Sequence, residues 1–183
     1  FGIFKDFDLD VRLSREVGWA SVRDKIVYGE LDASQALGPM AFAISLGLGS
    51  LKCDCISGLV LNLHGNAITL SNALANRGVT DAKTLSEEIF RARDEKTYTF
   101  GVVYPYSSHH YLLRQWLISG GINPDKEVEI VVVPPSQMVR NLAAGTIDGF
   151  CVGEPWNSMA VQEGTGWTAQ VGSELAPGHP EKL

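Results

Sequence analysis

Two hydrophobic periods take turns along this chain, and their order leaves few architectures open. Residues 9–15 set Leu9, Val11 and Leu13 against Asp10, Arg12 and Ser14, the period of two expected of a strand. A helix is predicted over residues 19–28, with Val22, Ile26 and Val27 inward and Gly29 closing it. Residues 32–37 read as a short strand broken by Gly38-Pro39, and Pro39 suits the first turn of a helix through Leu46. Residues 56–63 are a buried-strand candidate. Thr84-Leu85-Ser86-Glu87 has capping-box form and opens a helix to about Arg93, with Glu87 and Arg91 one turn apart. The second half repeats the recipe with strands at 97–103, 127–133, 146–152 and 167–171. Helices fall between them at 107–119, 137–144 (with Ser136 as N-cap) and 154–163. Leu112, Leu113, Trp116 and Leu117 form the apolar stripe of the first of these, which Gly120-Gly121 ends. Such an order predicts an α/β fold with mostly parallel strands.

An internal echo extends this. Residues 11–39 and 128–155 both read strand, helix, Gly-x-(Leu/Ile)-Asp, strand, Gly, Pro, helix. Gly29 and Gly145 suit the left-handed position that ends a helix, and Asp32 and Asp148 suit the turn into the next strand. Two similar lobes facing each other would leave a cleft at the carboxyl ends of their strands, where ligands bind in open α/β sheets. Any β-α-β unit can turn in this way, so the echo alone leaves a single lobe open.

Composition removes other classes. Apolar residues are 45% and charged residues 20%, near the globular average, which excludes disorder and fibrous repeats. The longest low-charge run, residues 33–51, is broken by Gly38, Pro39, Gly47 and Gly49, so no bilayer-spanning segment is expected. A net charge of −6 speaks against direct nucleic-acid binding. The chain starts at Phe1 with an apolar stretch and ends just past His179-Pro180-Glu181-Lys182, and both ends read as interior to a longer protein. Cys53, Cys55 and Cys151 are odd in number, and a C-x-C pair is too close for an easy mutual disulfide. Inert thiols are the plain reading. Free thiols fit a reducing compartment, although exported proteins carry them too.

Motifs for catalysis are missing: there is no G-x-S-x-G elbow, phosphate loop or H-E-x-x-H helix. His109-His110 point about 100° apart on a helix and do not suit one metal. No enzyme activity, cofactor or metal site is therefore expected. The junctions say more. The stretch Leu63-His64-Gly65-Asn66-Ala67-Ile68-Thr69-Leu70-Ser71 follows a strand with polar groups around a glycine. Tyr104-Pro105-Tyr106-Ser107-Ser108-His109 and Gly153-Glu154-Pro155-Trp156 each lead from a strand end into a helix start. Free N–H groups at such starts favour an anion, or serve only to cap the helix.

The segments LNLHGNAITLS (61–71), VVPPSQMV (132–139), GTIDGFCVGEPWN (145–157) and HPEK (179–182) resemble the solute-binding proteins of nitrate and bicarbonate ABC transporters, with a cytosolic nitrate sensor as a related branch. The resemblance implies a two-lobed, periplasmic-binding-protein-like (type II) fold with a hinged cleft, truncated here at both ends. Its first lobe would take residues 1–62, the crossover 63–96, the second lobe 97–172, and a return segment to the cleft 173–183. The family's binding tryptophan, in R-E-x-x-W-A-x-x-R-D, falls on Trp19. Its amide falls on Asn66, where the transporter form has Gln. Its hydroxyl and histidine fall on Ser108 and His109, its glycine on Gly153, and its lysine on Lys182, where the bicarbonate branch carries an acidic residue that helps hold calcium. The implied partners are nitrate or nitrite and the transporter's membrane subunits, on the outer face of the inner membrane. In the sensor branch the partner would be an RNA-binding antiterminator in the cytoplasm. Sulfonate or pyrimidine-precursor binding is a further branch.

The chemistry of these residue types agrees. Nitrate is flat, carries one charge and only accepts hydrogen bonds, so it wants donors, a cation and nothing acidic. Trp19, Asn66, Ser108 and His109 carry donors, Gly153 lets the backbone approach closely, and Lys182 supplies charge. Each has a plain structural alternative: a core Trp, a turn-forming Asn, a capping Ser, a surface His, a plain turn at Gly153 and a solvated terminal Lys. Bicarbonate needs an acceptor for its hydroxyl, so Lys at 182 tilts the expectation to nitrate or nitrite.

Overall fold

The structure, a computed structural model, describes residues 2–183. Its elements run α1 (Ile3–Asp6), α2 (Trp19–Val27), α3 (Gly38–Leu46), β1 (Asn62–Leu63), β2 (Asn66–Ser71), α4 (Asn72–Asn76), α5 (Ala82–Ala92), β3 (Tyr98–Val102) and α6 (Ser108–Ser119). They continue through β4 (Val128–Val132), α7 (Met138–Ala143), β5 (Gly149–Gly153), α8 (Trp156–Gln162), β6 (Gly166–Val171), α9 (Gly172–Leu175) and β7 (Pro180–Lys182).

One five-stranded sheet in the order β4-β3-β5-β2-β6 carries the fold. Both faces are covered, and strand alternation assigns the side chains. Ile68, Leu70 and Cys151 pack with Phe100, Leu113, Trp116 and Leu117 on the α5/α6 side. Phe150 and Val152 pack with Met138, Leu142, Ile147 and Ala160 on the α7/α8 side. The stripe expected on α6 is buried as read. Where α6 ends against α5, a Cβ on Gly120 would lie 2.2 Å from the Ala82 carbonyl oxygen, so the close crossing requires glycine.

The sheet is mixed rather than mostly parallel. β3 runs parallel to β4 and β5, but β2 runs antiparallel to β5 and β6. β2 enters without a preceding β-α-β crossover, which is what forces strands to be parallel. The LHGNAITLS stretch, read as a polar junction, holds this interior strand, and all six residues of β2 are buried.

Among the described residues no strand precedes Asn62, which corrects three expectations. Residues 9–15 form no strand: Leu13 is 89% exposed. Residues 32–37 pair only through a single bridge from Leu37 to Lys182. Of residues 56–63 only Asn62–Leu63 form a strand; 56–60 form no regular element, with Ile56 99% exposed, and Leu61 donates its amide to the Lys182 carbonyl. Alternation supplies a face, but a strand also needs a neighbouring backbone to take its N–H and C=O groups. The echo holds at its glycines, Gly29 and Gly145, both left-handed. It fails at its aspartates. Asp148 accepts from the Thr99 amide at 2.9 Å and pairs with Lys96, tying β5 to β3, whereas Asp32 is exposed.

Helix caps shift as well. Asp81, not Thr84, caps α5; it bonds reciprocally with Thr84, which sits one turn in. Arg91 pairs with buried Glu88 rather than Glu87, because Glu88 faces the core beside Tyr98. Ser136 lies inside a 3₁₀ turn (Pro135–Gln137), and α7 starts at Met138 with no side-chain cap.

Candidate functional site

The short strand β7 organises the site. It pairs antiparallel with β1, matching Lys182 with Asn62, and its other flank bonds the 36–37 backbone through Ala36 and Leu183. The segment is thereby laid across the end of the sheet where β2 and β5 match Asn66 with Gly153. Neighbouring residues on a strand face opposite ways. On β7 it is Glu181 that turns inward, 2% exposed, with Lys182 half-buried beside it.

Of the six residues read from the sequence, Asn66, His109 and Lys182 meet at the Glu181 carboxylate, and Trp19, Ser108 and Gly153 lie against their neighbours. His109 Nε2 donates to Oε1 at 3.1 Å, Asn66 Nδ2 donates to Oε2 at 2.5 Å, and the Lys182 ammonium also bonds Oε1. The Lys182 ammonium sits 5.4 Å from the Trp19 ring centroid, in cation–π range. Ser108 is not the helix cap; Ser107 takes that role. The Ser108 hydroxyl instead donates to the Pro180 carbonyl at 3.3 Å, holding β7 to the start of α6. A Cβ on Gly153 would point at Asn66 Oδ1 (3.5 Å) and His109 Nε2 (3.7 Å), so glycine keeps that space open.

The R-E-x-x-W-A-x-x-R-D stretch positions the tryptophan. Arg23 reaches the Gly49 carbonyl at 2.9 Å and the Tyr104 hydroxyl at 3.2 Å, and braces Asp24. Lys25 pairs with Glu16 at 2.8 Å. These polar ties hold α2, which buries no residue fully, and Trp19 heads it. Trp19 also lines a groove of 600 Å³ with Val11, Arg15, Ser34 and Pro135.

An acidic residue at the centre overturns the expectation of a site with nothing acidic. Burial alone would raise the Glu181 carboxyl, but the His109 hydrogen bond and the Lys182 charge outweigh it and hold the group below the usual carboxylate range. Burial pushes His109 below its usual value, against the pull of Glu181. The cluster thus holds one cation, one carboxylate and a neutral imidazole. Two acceptors remain buried without partners, Asn66 Oδ1 and His109 Nδ1.

Sequence reasoning missed Glu181 and the neighbouring histidines. His64 Nδ1 lies 3.2 Å from His179 Nδ1, and His179 Nε2 lies 3.4 Å from Asn66 Nδ2. The local signal for Glu181 and His179 was their place within HPEK; which of two adjacent strand residues faces in is set by the pairing of β7. His110 turns away from His109, toward the Pro105 carbonyl. Among the described residues no group of three or more His, Cys, Asp or Glu is arranged to hold a metal ion.

Known proteins place this geometry. The chain is 40% identical to two Synechocystis proteins, the nitrate import ATP-binding protein NrtC and the bicarbonate transport ATP-binding protein CmpC; each match takes 100% of this chain and 27% of that protein. The crystal structure of the periplasmic nitrate-binding protein NrtA from Synechocystis PCC 6803 superposes with a TM-score of 0.86 at 32% identity, over 99% of this chain and 48% of that one. The chain therefore spans about a quarter to a half of the length of these relatives. The resemblance to nitrate and bicarbonate solute-binding proteins is borne out, as is the α/β solute-binding fold. The NMT1-like family matches residues 1–183, and with this fold and this cluster the chain belongs to that family.

Proposed function

We propose that the cluster captures a small planar oxoanion, nitrate or nitrite, for an ABC import system, and does so without covalent chemistry. One observation carries this reading: three separate stretches of chain bring Asn66, His109 and Lys182 to a single planar carboxylate, with Trp19 beside the Lys182 ammonium and Gly153 beside Asn66 and His109. A donor set that holds the two oxygens of a carboxylate also matches the two oxygens of nitrite or an edge of nitrate. Charge-assisted bonds of this kind are the strong ones. In this reading Trp19 supplies a flat wall, Asn66 and His109 donate, Lys182 neutralises, and Gly153 leaves room.

Bicarbonate is the second reading. The two unpartnered acceptors, Asn66 Oδ1 and His109 Nδ1, could each take its hydroxyl proton, and the identities to NrtC and CmpC are equal. The setting also has two forms. As a free binding component the chain would work in the periplasm, as named for NrtA. The identity to ATP-binding subunits supports instead an anion-reading segment of the transport ATPase. In either setting we read residues 1–62 as part of one lobe, 97–172 as the other, and 173–183 as the segment returning to the cleft. Calorimetric titration of the intact protein with nitrate, nitrite, bicarbonate and sulfate tests the ligand. The expected result is one site for nitrate and nitrite and none for sulfate. Tighter binding of bicarbonate, or no binding of any planar anion, overturns the primary reading.

A further inference from the structure

The proposed donors are already occupied. Glu181 takes Asn66, His109 and Lys182 at once, and its side chain is 2% exposed. We propose that Glu181 is a built-in occupant of the anion site, which an entering planar monoanion must displace. This rests on the anion-binding reading above and adds the device that regulates it.

Three observations carry the proposal. The first is shape: a carboxylate is a planar, two-oxygen monoanion, so it competes for the same donors rather than complementing the ligand. The second is charge. The groups facing Glu181 are His109 from α6, Lys182 on its own strand, His179 two residues before it, and Cys151 from β5. Among the described residues Lys182 is the one cation in contact with it, and a second monoanion beside Glu181 would put two like charges on that cation in a buried place, an arrangement that disfavours both. The third is the strand that carries it. β7 has three residues and lies outside the five-stranded sheet, on a two-residue partner with an irregular register and a single bridge to Leu37. Short, marginal pairings open locally without unfolding the rest. Glu181 can therefore leave by movement of β7 while the Asn66/Gly153 match within the main sheet stays in place. In this scheme ligand entry frees β7, and the return segment reports occupancy.

The test uses the intact protein titrated with sodium nitrate. Glu181→Gln keeps the shape and removes the charge, and should bind nitrate at least about tenfold tighter than wild type. Hydrogen exchange on wild type is the second measurement, needing no variant. Saturating nitrate should speed exchange at the Lys182 and Leu183 amides, on the strand that leaves, and leave Ala67–Leu70 protected. If wild type binds nitrate and Glu181→Gln binds equally or more weakly, or if nitrate slows exchange in β7, Glu181 is no competitor and this inference fails while the function stands. If neither form binds any planar anion, the functional reading fails and takes this inference with it. Binding by Glu181→Gln alone supports both.

Discussion

Asn157 links the family's GEPWN stretch to the floor of the site, and its removal has a calculable cost. It is wholly buried in the first turn of α8, accepts the Thr69 hydroxyl at 2.8 Å and donates to the Val152 carbonyl at 2.8 Å. It thereby clamps β2 to β5 one residue from Gly153. Asn157→Leu keeps the branched shape and removes both bonds. Thr69 is 0% exposed, so its hydroxyl left without a partner costs about 1–3 kcal/mol. The lost bond to Val152 adds about 0.5–1.5 kcal/mol. The expected total is about 2–4 kcal/mol, read from urea denaturation of the intact protein. Thr69→Val alone strands Asn157 Oδ1 and should cost about 1–3 kcal/mol by the same reasoning. The double variant removes both partners of one bond, so its loss should fall short of the sum by at least about 1 kcal/mol. A loss under about 0.5 kcal/mol in Asn157→Leu, or strict additivity in the pair, would refute the clamp.

Glu88 is 2% exposed and accepts from Tyr98, Arg77 and Arg91. The arginines are half exposed or more and regain water, so Glu88→Ala should cost about 1–3 kcal/mol, chiefly from the stranded Tyr98 hydroxyl, with Glu88→Gln recovering most of it in thermal melts. Cys151 is 0% exposed, and burial, aided by the Glu181 charge, pushes its thiol far up. In native alkylation half-buried Cys53 and Cys55 should react first and Cys151 only on denaturation; equal rates for all three would contradict the packing. His109 lies below its ordinary value of 6.5 because it is buried, so its neutral form belongs to the folded state. Its contribution to stability is complete above about pH 6.5 and falls as pH drops from there toward its lowered value. The lowered Glu181 withdraws its own contribution only at more acidic pH. Melting temperatures between pH 7 and 5 should therefore fall more steeply in wild type than in His109→Asn; parallel slopes would place His109 in water.

What the sequence determined is local. Residues 98–102, 128–132 and 149–153 are strands because their apolar runs end in turn residues, and α6 is a helix because its stripe repeats at the helical period with Ser107 at the cap. The junctions that carry Asn66, Ser108, His109 and Gly153 were legible as strand ends and helix starts, and the resemblance to nitrate and bicarbonate solute-binding proteins is what singled those four out together with Trp19 and Lys182. What only the tertiary structure decided depends on partners far along the chain. The alternation of residues 9–15 is as regular as any true strand's, yet among the described residues it joins no ladder. β2 became the buried antiparallel partner of β5 because strand direction is set by where the chain enters the sheet. Glu181 and Lys182 are adjacent and both charged, and nothing in HPEK says which turns inward. The pairing of β7 with residues 62–63 and its bridge to Leu37 chose Glu181, because alternation assigns neighbouring side chains to opposite faces and only pairing decides which face is the core.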